Sequence, residues 1–157
     1  MNRRGVTLIE MLIVVVVMGI LARFALPRVE DARRRAVAAT IVSELNVIRD
    51  AAYHYNADLA LWPLNTAVGK VPAGLSTYLV GGLSWTPKTN YSYVWLLSGM
   101  TGGDPATGTN SSLMGPGVST TDAALRSAVV KAFGNRPSYV SGNVAYLLIW
   151  GPARLRP

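Results

Sequence analysis

The chain has 157 residues and a mass of 16.8 kDa, enough for one modest domain and an additional segment. It contains no cysteine, which excludes disulfide bonds and thiolate metal sites. Half of the residues are hydrophobic, 15% are charged, and the formal net charge is +7. A positive balance of this kind favours anionic lipid, nucleic acid or acidic protein surfaces as partners.

The first predicted element is an apolar segment, Val6–Leu26, which follows the basic pair Arg3-Arg4. Its 21 residues would form ~31 Å of helix, which matches the ~30 Å hydrocarbon core of a bilayer. Two ionisable residues, Glu10 and Arg23, interrupt it. Arg23 can extend its guanidinium to the interface, whereas the shorter Glu10 must be protonated or paired. An acidic residue in this position therefore predicts a function.

Two simpler interpretations of this segment explain less of the sequence. A removable signal peptide needs a small-x-small cleavage site after the apolar residues, and Arg23 and Phe24 disturb the region where it would lie. An ordinary single-pass anchor leaves the carboxylate of Glu10 unexplained. The glycine of this region, Gly5, stands before the apolar segment, so cleavage there would leave the segment on the mature protein.

The sequence Gly-Val-Thr-Leu-Ile-Glu that begins at Gly5 resembles the prepilin cleavage and methylation motif of type IV pilins and type II secretion pseudopilins. The resemblance implies that a prepilin peptidase cuts between Gly5 and Val6 and methylates the new amino group of Val6. It also implies an assembly role for Glu10 and identifies Pro27 with the helix-kinking proline of the family. It covers about the first 30 residues and departs from the family at Val6, where phenylalanine is usual, and at Arg23.

On this resemblance we expect a structural subunit of a type II secretion pseudopilus-like filament, not an enzyme. The alternative is a type IV pilin or minor pilin, including one that binds DNA. The small head without a cysteine pair favours the pseudopilin. The implied partners are copies of the chain, other pilin-like subunits, the prepilin peptidase, and the platform and ATPase of the assembly apparatus. No cofactor is implied.

The resemblance implies a location in the bacterial inner membrane, crossed once with the head in the periplasm, and then in a periplasmic or surface filament. A count of positive residues predicts the opposite orientation, with the C-terminal side in the cytoplasm, because Arg28 and Arg33–Arg35 outnumber Arg3 and Arg4. Long domains are nevertheless translocated despite such charges. We therefore give more weight to the motif than to the count.

Elementary electrostatics explains why an acidic residue would be useful at Glu10. Cleavage would give Val6 a cationic amino group about one helical turn away, in the same subunit or in the next one. A pair ~4 Å apart is worth about 4 kcal/mol at an effective dielectric constant of roughly 20, before desolvation costs are subtracted. A misregistered helix would leave a charge unpaired, so we expect Glu10 to set the register between subunits.

The helical pattern continues as an amphipathic helix over residues 27–56. Pro27 lacks the amide that would bond to the carbonyl of Arg23, so a kink is expected there. Trp62-Pro63 indicates the far limit of the helix, because a residue before proline avoids helical geometry. The apolar residues recur every three or four positions and define one face: Val37, Ile41, Leu45, Ile48, Ala52 and Tyr55.

Residues 57–157 predict a small globular head, so the predicted fold class is α+β and pilin-like, with a long N-terminal helix packed on a small antiparallel sheet. The elements expected in the head are strands at Asn90–Leu97 and Val144–Trp150, a strand or helix edge at Leu75–Leu79, a helix at Ala123–Phe133, and a surface loop at Thr101–Thr120. A cap at Thr121-Asp122 and a glycine stop at Gly134 bound the helix.

No catalytic or metal-binding pattern accompanies these elements. His54 is the only histidine and is interpreted as a packing or surface residue. Asp104 and Asp122 are too few for the roughly six to eight oxygen ligands of a calcium site. We therefore expect neither a metal site nor a catalytic one.

The alternating aromatic residues Tyr91, Tyr93 and Trp95 would lie on one face of a strand, and we interpret them as core. The alternative is an exposed row that stacks on single-stranded DNA. Phosphate contacts would then come from the basic residues of the head, which include Arg126, Lys131 and Arg136.

Overall fold

A computed structural model describes residues 7–80, 83–98 and 113–149 of the chain. The chain divides into two compact units, residues 1–34 and residues 35–157. One long helix, α1 (Leu8–Leu59), contributes residues to both units. It ends three residues beyond Asn56, the predicted limit, and it continues as a helix through Pro27.

The first unit, where it is described, consists of the apolar part of α1. An 18-residue window of this helix has a mean hydropathy of 2.4, and none of that window is buried. By length and composition, α1 is therefore able to cross a membrane.

The second unit contains the amphipathic part of α1. Ile41, Leu45 and Ile48 are fully buried, and Val37 and Tyr55 at the two ends of the predicted face are partly buried. The buried residues of the helix are Ala38, Ile41, Val42, Leu45, Ile48, Ala51 and Ala52. The spacing in the sequence thus identified the face correctly, because burial on one side of a helix requires this period.

A four-stranded antiparallel sheet packs on this face, so the fold is α+β and pilin-like, as the sequence predicted. The strands are β1 (Ser92–Ser98), β2 (Leu113–Ser119), β3 (Ser138–Ser141) and β4 (Val144–Leu147), in the spatial order β1-β2-β4-β3. A short 3-10 helix covers Leu75–Tyr78, where a strand or helix edge was expected over Leu75–Leu79. The helix α2 covers Ala123–Phe133, which are the bounds predicted from the sequence.

The side chains of β1 alternate between two apolar clusters. Tyr93 and Trp95 are each 1% exposed and pack with the buried face of α1. Val94 lies on the other face of the sheet, in a cluster with Tyr146 and Leu148. The interpretation of Tyr93 and Trp95 as core is therefore confirmed, and neither ring is available to stack on a nucleic acid base.

The surface loop predicted over Thr101–Thr120 is wrong in its second part, because Leu113–Ser119 form the inner strand β2. A Cβ atom on Gly115 would lie 2.1 Å from the carbonyl oxygen of Leu147, and one on Gly117 would lie 2.5 Å from the ring of Tyr146. Both glycines are therefore needed because a side chain at either position would prevent β2 from lying so close to β4. Their sequence is nevertheless typical of a turn. Residues 101–112 lie outside the described part of the chain.

The hairpin of β3 and β4 was only half predicted. The strand expected over Val144–Trp150 is observed as Val144–Leu147, and Trp150 lies outside the described residues. Its partner β3 was not predicted. Gly142 and Asn143 form the two-residue turn, and Gly142 has a positive φ of 54°, as such hairpin turns require.

The segment that follows α1 runs along the outer edge of β1. The amide of Asn65 donates to the carbonyl of Leu97 (2.7 Å) and accepts a hydrogen bond from the Leu97 amide. Gly69 N–H donates to the carbonyl of Tyr93 (2.7 Å), and Trp95 Nε1 donates to the carbonyl of Pro63 (2.7 Å). The contacts of Asn65 and Gly69 satisfy backbone groups of β1 that have no strand beside them, and the contact of Pro63 satisfies the buried indole N–H of Trp95.

An ion pair ties the segment before β1 to α1. Lys88 Nζ lies 2.9 Å from Glu44 Oε1 and 5.2 Å from the centre of the Tyr91 ring. Partial burial disfavours the charged form of Lys88, but the Glu44 carboxylate and the Tyr91 hydroxyl outweigh it, so the pKa of Lys88 is raised. This contact fixes the segment on the helix.

The N-terminus of α2 is capped as predicted. The side chain of Asp122 accepts hydrogen bonds from the amides of Ala124 (2.9 Å) and Leu125 (3.0 Å). Because these amides have no partner within the helix, Asp122→Ala should lower the free energy of unfolding by about 1 kcal/mol. Urea unfolding of the full chain in detergent measures the change. Asp122→Asn keeps an accepting oxygen and serves as the control; equal stability of all three proteins would contradict the capping role.

Candidate functional site

The start of α1 is held by a reciprocal set of hydrogen bonds between Thr7 and Glu10. Glu10 Oε2 accepts from the Thr7 amide (2.8 Å) and from Thr7 Oγ1 (2.9 Å). The Glu10 amide donates back to Thr7 Oγ1 at 3.3 Å. This is a capping box, in which a threonine and a glutamate three residues later satisfy each other's free groups at a helix N-terminus.

The capping box gives Glu10 a local reason to be ionised. The amino end of a helix carries a partial positive charge, which favours a carboxylate in the first turn. Both hydrogen bonds from Thr7 go to Oε2, and no described residue donates to Oε1. Within the described part of the chain, Glu10 therefore has one oxygen engaged at the helix start and one that can still receive a cation.

The role of Thr7 was not predicted from the sequence. The spacing of threonine and glutamate in Thr7-Leu8-Ile9-Glu10, immediately before an apolar run, is the signal that would have identified it. Gly5 and Val6 lie outside the described residues, so their proposed processing is tested by chemistry and not by geometry. Pro27, the other predicted assembly residue, is exposed on α1.

The charged cluster after Pro27 pairs along the helix itself. Arg34 Nη2 lies 3.5 Å from Glu30 Oε2, and Arg34 Nη1 lies 3.4 Å from Asp31 Oδ1. The Glu30 and Asp31 side chains are about two-thirds exposed, at 66% and 67%. Exposed pairs one turn apart contribute only about 0.3–0.5 kcal/mol each, so this cluster is not itself a strong fold determinant.

The remaining candidates lie in the second unit, in the last part of α1 and in the head. His54 is exposed, and no group of three or more potential metal ligands occurs among the residues that the structure describes. The guanidinium of Arg126 donates to Thr120 O and Asn143 Oδ1, both at 3.3 Å. That of Arg136 donates to Asn46 Oδ1 at 3.0 Å. These two arginines therefore connect elements of the fold. Asp104 lies outside the described residues.

Comparison with known proteins places this geometry within a recognised motif. Residues 1–22 match the family described as the prokaryotic N-terminal methylation motif. The chain is 32% identical over 71 residues to the fimbrial protein EcpC of Eikenella corrodens. The aligned region is 45% of this chain and 46% of EcpC. It is 34% identical over 67 residues to the type IV major pilin protein PilE1 of Neisseria gonorrhoeae, covering 43% of this chain and 31% of PilE1.

A fimbrial protein of Pseudomonas aeruginosa is 42% identical over 50 residues, which is 32% of each chain. The chain thus spans less than half the length of each of these relatives. No solved structure matches the chain significantly. The matched motif contains the apolar helix start and the capping box of Thr7 and Glu10. The chain therefore carries, over residues 1–22, the N-terminal methylation motif of prepilin-type proteins.

Proposed function

We propose that the chain is a structural subunit of a type IV pilin-like filament that assembles through the first part of α1. The observation that carries the proposal is an exposed apolar helix whose first turn holds a carboxylate, one oxygen of which accepts from no described residue. Such a helix is stable alone in lipid or beside other such helices. The matches to fimbrial and pilin proteins support contact with other such helices as the final environment of this helix.

In this proposal the leader Met1–Gly5 is removed by a prepilin peptidase, and the amino group of Val6 is methylated. The helix over residues 6–26 first anchors the chain in the bacterial inner membrane, with the head of residues 57–157 in the periplasm. An ATPase and a membrane platform then transfer the subunit into a filament with copies of itself and other pilin-like subunits. Lipid contacts are exchanged there for contacts between helices.

The kind of filament is a finer part of the proposal. The names of the relatives, fimbrial protein and type IV major pilin, support a pilus. A type II secretion pseudopilus is the second candidate, and the chain's lack of cysteine favours it. Gold-labelled antibody against the head distinguishes them on intact cells: long labelled surface fibres indicate a pilus, and label only after the outer membrane is opened indicates a pseudopilus.

The intact mass of the membrane-extracted protein tests the processing step. We expect the mass of residues 6–157 with one added methyl group, because cleavage after Gly5 exposes the amino group of Val6. A Gly5→Val variant, with a bulky residue at the cleavage site, should retain the full-length mass. Detection of Met1–Gly5 on native protein isolated from filaments would overturn the processing proposal.

A further inference from the structure

Two opposite charges interrupt the exposed apolar part of α1. Glu10 and Arg23 are the ionisable residues of the span Val6–Leu26, and both are exposed. Among the residues that the structure describes, no ion pair involves Arg23. In lipid, Arg23 can extend its guanidinium to the interface, whereas the shorter Glu10 must be protonated or paired. Beside other helices Arg23 loses this access to water, so its guanidinium needs a negatively charged partner.

The positions of the two charges on the helix restrict what that partner can be. They are 13 residues apart, which corresponds to ~20 Å along the axis. At about 3.6 residues per turn they point about 140° apart around the axis. The negative charge and the positive charge therefore lie on nearly opposite sides of the helix and cannot serve the same neighbour at the same level.

Charge complementarity then selects one packing of two copies. Side-by-side helices without an offset would bring like charges to the same level. Antiparallel helices would match the charges but require two copies inserted in opposite directions. Parallel helices offset by 13 residues bring Arg23 of one copy to the level of Glu10 of the next, where Oε1 has no donor among the described residues.

We propose that copies of α1 associate in parallel with this 13-residue offset, and that the guanidinium of Arg23 pairs with the carboxylate of Glu10 on the neighbouring copy. The inference rests on the proposed filament function. Because each copy uses one side of its helix for each neighbour, the contact is of the head-to-tail kind, which produces an open chain instead of a closed dimer. Arg23, which departs from the family pattern, thereby acquires a role in register.

Cysteine cross-linking in the native host tests the offset, because the natural chain contains no cysteine. Val14 lies about one turn beyond Glu10, and Leu26 lies about one turn beyond Arg23, on sides that adjoin when the two charged residues face each other. Val14→Cys/Leu26→Cys should therefore give a ladder of covalent dimers, trimers and longer products upon mild oxidation. The matched control Val14→Cys/Leu21→Cys, whose second cysteine points about 160° away from Arg23, should give no ladder.

The charge dependence is tested in the Val14→Cys/Leu26→Cys chain. Adding Arg23→Leu should reduce the trimers and longer products at least tenfold, whereas Arg23→Lys should preserve them. A ladder unaffected by Arg23→Leu would overturn the role of the ion pair. Products that stop at dimers indicate antiparallel pairs, and dimers from Val14→Cys alone indicate an unstaggered pair; either result overturns the offset.

The outcome separates this inference from the function on which it depends. Normal filaments without the Val14→Cys/Leu26→Cys ladder would overturn the 13-residue offset and leave the filament function intact. Absence of both cleavage and filaments in the natural chain would overturn both.

Discussion

Replacing Glu10 with valine should abolish filament assembly while leaving the chain in the membrane. Valine is apolar, so insertion of the span is not impaired, but the capping contacts with Thr7 and the negative charge are both lost. A loss of only about 1.4 kcal/mol at each subunit contact lowers its association constant tenfold. Since every subunit of a filament repeats the contact, we expect no filaments by electron microscopy and unchanged protein in the membrane fraction.

A Glu10→Gln variant separates the two roles of the residue. Glutamine can complete a capping box, because its amide oxygen accepts from the same groups, but it carries no charge. We expect the helix start to persist and assembly to remain defective. Thr7→Val is the converse variant, since it removes the hydroxyl contact and keeps the charge. Normal filaments from Glu10→Gln would show that charge is not required, and normal filaments from Glu10→Val would rule out any assembly role.

Adding a single methyl group to Gly115 should strongly destabilise the head. Its Cβ would lie 2.1 Å from the carbonyl oxygen of Leu147 and 3.1 Å from the Cα of Leu148, so β2 and β4 would have to separate. Overpacking typically costs about 1–3 kcal/mol, and because both obstacles are backbone atoms we expect about 3 kcal/mol or more. That is a large fraction of the stability of a small domain.

Urea unfolding in detergent, followed by the fluorescence of the buried Trp85 and Trp95, should show a markedly lower midpoint for Gly115→Ala. Gly19→Ala is the matched control. It makes the same chemical change, but nothing lies within 4 Å of the added Cβ. Alanine also favours the helix by about 1 kcal/mol over glycine, so this control should not destabilise the protein. An unchanged midpoint for Gly115→Ala would contradict the close approach of β2 and β4.

The helices were predictable from sequence because local signals define them. The three- and four-residue spacing identified the buried face around Ile41, Leu45 and Ile48. Asp122 and Gly134 marked the ends of α2 through contacts within a few residues. The strand β2 was missed for the opposite reason. Its glycines are explained by atoms of Leu147 and Tyr146, about 30 residues away, and no local pattern records that proximity.

Local sequence signals also identified part of the functional site. Glu10 was identified because a carboxylate in an apolar span is unusual on any physical scale. The partnership of Glu10 with Thr7 is also indicated by local spacing, because the two residues are three positions apart at a helix start. The processing of Gly5 and Val6 stays a prediction.

The contacts of Asn65 with β1 have a consequence for how the protein can polymerise. An uncovered border strand offers its backbone to any extended peptide and can recruit it into a growing cross-β aggregate. Here the carboxamide of Asn65 imitates a peptide group and occupies both the N–H and the C=O of Leu97. Together with Gly69, which donates to the carbonyl of Tyr93, it covers part of the border that β1 would otherwise present to its surroundings. Pairing of crowded heads through the β1 border is thereby disfavoured.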